Sequence, residues 1–133
     1  MRVYFFIVFF LNLMDLRERT KEFALTIIKA YGLLPKITEA QVIGKQCLRS
    51  GTSIGAHYRE AIRARSNAEY ISKLETALQE LEETDYWLDL LASIHLLPEL
   101  EVKGIKSEIH ELISIFVSCV KTARFKNKTL KNE

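Results

Sequence analysis

The sequence predicts an all-α protein, an antiparallel up-down-up-down four-helix bundle. Three observations predict it. Apolar residues recur every three or four positions over four long stretches, the period of a half-buried helix. Breakers are scarce, two prolines and five glycines in 133 residues, so loops must be few and short. No run alternates apolar and polar residues between turn signals as a strand would. With 48% apolar residues, the chain can build the core of one domain without disulfide or metal staples. Short links make successive helices antiparallel neighbours.

The chain opens on MRVYFFIVFFLNLM, almost wholly apolar with Arg2 as its single charge. Its apolar run is shorter than the ~20 residues that span a bilayer, and no A-x-A-like cleavage site follows. Met14 stands just before a helix start, so residues 1–13 are expected to be a leader from a misassigned start. The bundle is then residues 14–126 and the polar tail residues 127–133, with fraying expected from Lys126 on.

The first helix is expected over residues 16–31. Asp15 and Glu18 form a D-x-x-E start, Phe23, Ile27, Ala30 and Tyr31 share a face, Gly32 suits the C′ position, and Pro35 forbids continuation. The second helix starts at Thr38, where Thr38 and Gln41 spell a T-x-x-Q capping box. Val42, Ile43, Cys47, Leu48, Ile54, Tyr58, Ala61 and Ile62 supply its apolar face. The third helix has the best start, Ser66-Asn67-Ala68-Glu69, followed by Ile71, Leu74, Leu78, Leu81, Leu88 and Leu91 at bundle spacing. Asp85 falls into that stripe. In the fourth helix Pro98 suits N1, Glu99 and Glu101 suit the positive end of the dipole, and Ile105, Ile109, Leu112, Ile113, Phe116, Val117 and Val120 face inward.

Gly51 and Gly55 raise the question of a phosphate loop. Such a loop needs a preceding strand and a Lys-Ser or Lys-Thr after the last glycine, and here His57-Tyr58 follows within a helical pattern. Four residues apart, the glycines share a helix face instead, with Ala56 beside it. Two mid-helix glycines cost roughly 1 kcal/mol each against alanine. A smooth Gly51, Gly55, Ala56 strip compensates if another helix, in the bundle or in a second subunit, draws close.

No catalytic residue, metal ligand or cofactor is expected. His57, His95 and His110 lie on different elements, no Ser nucleophile motif appears, and no Glu-x-x-His pair marks a di-metal bundle. Cys47 and Cys119 sit in apolar surroundings and are expected reduced. No membrane association is expected, and the location is expected to be cytoplasmic.

The net charge is +2, but it is unevenly spread: residues 69–89 hold seven acids against Lys73 alone, while residues 45–65 carry Lys45, Arg49, Arg59, Arg63 and Arg65 against Glu60. Acids of the third helix are expected to pair with bases of the second, with Arg49, Glu80, Glu83 and Asp85 as a buried polar set. Arg59 and Arg63 share a face and Arg65 follows at the helix end. With Lys121, Arg124 and Lys126 they form the candidate nucleic-acid-binding set, and a solvated charged face is the plainer alternative.

ERTKEFAL (18–25), IGKQCLRSGTSIGAHYREAIRARS (43–66) and EYISKLETALQELEETDYWLDLL (69–91) resemble the four-helix-bundle family encoded in intervening sequences of bacterial 23S ribosomal RNA genes. The likeness covers residues 14–126, and RSGTSIGA-YREA is its most specific block. His57 departs from it where asparagine is expected. The family is similar to the accessory protein of diversity-generating retroelements, whose members form homopentameric rings and bind nucleic acid and a reverse transcriptase through basic surfaces. The resemblance therefore implies a self-assembling, non-enzymatic ring that binds structured RNA or DNA, with a nucleic-acid enzyme as a further partner. The alternative is a protein-interaction adaptor without nucleic-acid binding, which would depend on surface such as Tyr86 and Trp87.

Overall fold

The computed structural model describes residues 15–131 as four α-helices: α1 (Leu16–Gly32), α2 (Thr38–Ala61), α3 (Asn67–Ser93) and α4 (Glu99–Lys131). The expected leader, residues 1–13, and the start at Met14 lie outside the described residues. Contacts pair early residues of one helix with late residues of the next. Thr20 of α1 lies against Gly55 of α2 and Ile27 against Gly51. Arg49 of α2 meets Glu83 of α3, and Glu60 meets Lys73. Lys106 of α4 meets Asp85 and Asp89, and Arg124 meets Glu75. Successive helices are thus antiparallel, as the short connections predict.

Local chemistry explains some ends and overrules others. The Asp15 carboxylate accepts from the Glu18 N–H at 2.9 Å and opens α1. The Ser66 hydroxyl accepts from the Glu69 N–H at 3.1 Å and opens α3. The capping box at Thr38 does not form: Ile37 is the N-cap and no side chain caps it. Gln41 is engaged elsewhere, accepting from the Tyr31 hydroxyl at 3.0 Å and donating to the Pro35 carbonyl at 3.1 Å. Gly32 is the last residue of α1 rather than a left-handed cap. Among the described residues the left-handed conformation belongs to His95, φ 60, between α3 and α4. Fraying from Lys126 is not observed, since α4 stays helical to Lys131.

Ile54, Leu74, Leu81, Leu88, Leu91, Ile109, Leu112 and Phe116 form the fully buried centre, with Ile27 from α1. Val42 and Ile62, expected inside, are exposed at 59% and 47%. The α3 stripe runs through Leu74, Ala77, Leu81, Thr84, Leu88 and Leu91, so the core position between leucines is Thr84 and not Asp85. Thr84 and Ser50 are fully buried and their hydroxyl oxygens are 2.8 Å apart. Each also reaches a carbonyl of its own helix, Glu80 at 2.7 Å and Cys47 at 3.2 Å. The pair is therefore satisfied without water and fixes the α2–α3 register.

The glycine strip packs within the chain. A Cβ on Gly51 would stand 2.8 Å from Ile27, and one on Gly55 would stand 3.1 Å from the Thr20 hydroxyl. Gly44 continues the face two turns further, under Leu34 and Tyr31. Ala56 lies on the exposed side and takes no part in this packing. The α1–α4 seam is closed differently. Arg19, 4% exposed, donates through Nε and Nη2 to Glu108 at 3.0 and 2.6 Å and through Nη2 to Glu111 at 2.8 Å.

Candidate nucleic-acid interface

The antiparallel order carries the start of α1, the end of α2, the start of α3 and the end of α4 to one end of the bundle. That end is built from the α2–α3 turn. Ile62 N–H bonds back to Tyr58, Arg63 to Glu60 and Ala64 to Ala61, at 3.0–3.2 Å, so the chain leaves α2 in a tight, fixed curl. The Arg65 N–H then donates to the Glu69 carboxylate at 2.9 Å. Arg59, Arg63 and Arg65 are all exposed.

Arg59 and Arg63 do not stand alone. With Arg17 of α1 and Lys73 of α3 they line an open depression that also includes Glu60, Ile62 and Glu69. Its acids are partly engaged. Lys73 binds Glu60 at 2.6 Å, with His57 Nδ1 at 3.9 Å. The hydrogen bond from Lys73 holds the Glu60 carboxyl below its usual range and raises Lys73 in turn. Glu69 is turned toward the Arg65 backbone. Among the described residues no carboxylate lies within 4.0 Å of the guanidinium groups of Arg17, Arg59, Arg63 or Arg65. Four guanidinium groups at one end, without carboxylate partners among the described residues, leave a positive potential for an anion to fill.

The rest of the expected set divides. Lys121, Arg124 and Lys126 are exposed on the last turns of α4, at the same end. Arg124 is spoken for by Glu75, while Lys126 lines a shallow recess with Asn67, Tyr70, Cys119 and Thr122. Asn67 ties the two helices here, donating to the Ala123 carbonyl at 2.8 Å. Arg17 and Lys73 were missed in sequence because Arg17 lies among several other charges of α1 and Lys73 is one base among the acids of α3, and the bundle alone brings them to the α2–α3 turn.

The polar set Arg49, Glu80, Glu83 and Asp85 is neither one cluster nor buried. Arg49 bridges Glu80 and Glu83, but its side chain is 49% exposed. Hydrogen bonding to Arg49 lowers the Glu83 carboxyl and raises the guanidinium. Asp85 points to α4, where Lys106 Nζ is 3.1 Å away and His110 Nε2 is 4.0 Å away. The buried charge lies instead at Arg19, four residues before Phe23 and on the same face of α1. Trp87 donates its indole N–H to Glu83 at 3.2 Å, and Tyr86 is half exposed beside it. The three histidines stay apart, and among the described residues no group of three or more metal-ligating side chains gathers. No described helix is long and apolar enough to cross a membrane.

The family model for the 23S rRNA-intervening sequence protein matches residues 13–118. The chain belongs to that family. A solved structure, described as a protein with unknown function from the S23 ribosomal protein family of Bacteroides thetaiotaomicron, is 38% identical. The likeness covers 80% of this chain and 99% of that one, with a TM-score of 0.76. No curated protein matches. In this member of the family, the segment matched by the family model ends at Ser118, so Lys121, Arg124 and Lys126 lie beyond it. Arg59, Arg63 and Arg65 lie inside it.

Proposed function

We propose that the protein is a non-enzymatic, self-assembling helical bundle that binds structured RNA or DNA through its basic end. The observation that carries this reading is the convergence of Arg17, Arg59 and Arg63 on one depression, with Arg65 on the adjoining turn, all exposed and without carboxylate partners among the described residues. Phosphate oxygens are the anions such a surface suits. Guanidinium groups bind them bidentately, and contacts of this kind position a nucleic acid without reading its sequence. In a homo-oligomeric ring, the homopentamer that the resemblance implies, the same cluster would recur on every subunit and multiply weak contacts. The glycine strip is filled by α1, so self-association would use other faces, such as the bases on α2 and the exposed acids Glu82 and Asp89 on α3.

Binding of a labelled structured RNA, followed by fluorescence anisotropy over a range of salt, tests the proposal. Affinity is expected to fall steeply with salt. R59A/R63A should weaken binding and reduce the log–log salt slope by about two, roughly one per lost phosphate contact. An unchanged titration for that variant would remove this end of the bundle as the binding face. Absence of binding even at low salt, with a partner protein captured through Tyr86 and its neighbours, would establish the adaptor reading instead.

A further inference from the structure

The apolar stripe of α4 runs through Val102, Ile105, Ile109, Leu112, Phe116, Val120 and Ala123, all buried. Phe125 is not its continuation. Two residues beyond Ala123, it lies about 200° round the helix, on the side away from the core. Its ring is 72% exposed. Lys121 stands four residues before it and Lys128 three residues after it, so the three share one face, and both lysines are exposed. Among the described residues neither lysine has a carboxylate within 4.0 Å. Among the described residues the last polar ties between α3 and α4 are at Ala123 and Arg124, so Phe125 and Lys128 stand within about one turn beyond them.

We propose that Phe125, between Lys121 and Lys128, is a stacking platform for an unpaired base of RNA or DNA. The proposal rests on the nucleic-acid reading of the basic end and names which part of the nucleic acid meets α4. An open aromatic ring flanked by cations matches a single strand, whose bases are free to leave their neighbours and whose phosphates follow the lysines. A duplex keeps its bases stacked on one another and offers the ring no face. A second copy docked here two-fold symmetrically would set Lys121 and Lys128 against the same charges. One aromatic residue on a polar face is also too narrow an apolar strip for a membrane surface.

The test compares wild type, F125A, F125W and R59A/R63A against an unpaired oligonucleotide and a blunt duplex of the same sequence, each as RNA and as DNA. F125A is expected to bind the single strand about tenfold more weakly, within the range for loss of one base–aromatic stack, with the duplex affinity and the salt slope unchanged. F125W should restore binding, and its added emission should be quenched by the single strand. Equal loss on single strand and duplex, or no loss on either, overturns the stacking role. So does a changed native mass of F125A, which would mean that a second copy covers the ring. If wild type and F125A bind alike while R59A/R63A binds weakly, the platform falls and the basic end stands. If wild type binds neither nucleic acid at low salt, both proposals fall.

Discussion

Gly51 and Gly104 show how much a single hydrogen-for-methyl exchange depends on the neighbouring helix. Both sit inside helices, where alanine is favoured by up to about 1 kcal/mol. Nothing lies within 4 Å of the place a Cβ would take on Gly104, whereas Ile27 carbons lie 2.8 and 2.9 Å from that place on Gly51. G104A should therefore raise stability toward denaturant by up to about 1 kcal/mol, and G51A should lower it by about 1–3 kcal/mol as α1 is pushed off α2. Equal shifts in the two variants would show that α1 does not hold the strip. Cys47 gives a second prediction at this scale. Burial pushes its thiol from an ordinary 9.0 up to about 12. The folded chain keeps a proton that the unfolded chain loses, so this contribution is whole below pH 9 and declines as pH rises toward 12. Stability of C47A should fall less steeply than that of wild type over that range, and parallel curves would count against the shift. In the native protein a thiol reagent at neutral pH should modify Cys119 ahead of Cys47, since only the first is partly exposed.

Among the elements, α1 and α4 meet through a nearly enclosed cation, whereas the ion pairs across the α2–α3 and α3–α4 seams are more exposed. Arg19 is nearly enclosed, and Glu108 has a side-chain exposure of 15%. Removing the cation alone strands a carboxylate in that environment, so R19A should destabilise by about 3–5 kcal/mol. R19M/E108L, which replaces both charges by apolar groups, should recover most of that loss. A thermal or denaturant comparison of the two variants checks this, and equal destabilisation would place the cost in packing. What the sequence made legible also sorts by element. Helix number, order and approximate ends follow from period and breakers, because burial of one stripe enforces that period. Asp15 and Ser66 are readable because each cap acts within three residues. Thr38 is not, because Tyr31 and Pro35 claim Gln41 from outside the helix. Asp85 was misplaced because a period of three or four fits Thr84 equally well, and only the partner Ser50 decides between them. Arg19 could have been found by the rule that flagged Asp85, a charge on an inward face.

For the whole molecule, the expected basic residues came from local runs of charge, but their assembly did not. Arg17 and Arg59 are distant in sequence and meet because α1 and α2 are antiparallel. Charge counts along the chain cannot show which carboxylates will neutralise which cations, and so could not separate Arg124, held by Glu75, from Arg63. Self-assembly is expected to appear as a native mass several times 15.4 kDa by light scattering, and to weaken with salt if opposite charges meet across subunits. A monomer at all protein concentrations would remove the ring and leave the basic end to act singly.

The order of the helices has a practical consequence for anyone handling the protein. Asp15 and Lys131, the first and last described residues, leave the bundle at the same end, the end that carries Arg17, Arg59 and Arg63. A tag or fusion partner attached next to Asp15 or Lys131 would crowd that end and could imitate a loss-of-binding substitution. A circular permutant avoids this. Joining the two ends through a flexible linker and opening the chain between α3 and α4, near the exposed residues Ile94 and Leu100, moves both new termini to the far end. Immobilised by those termini, the molecule would present its cations outward.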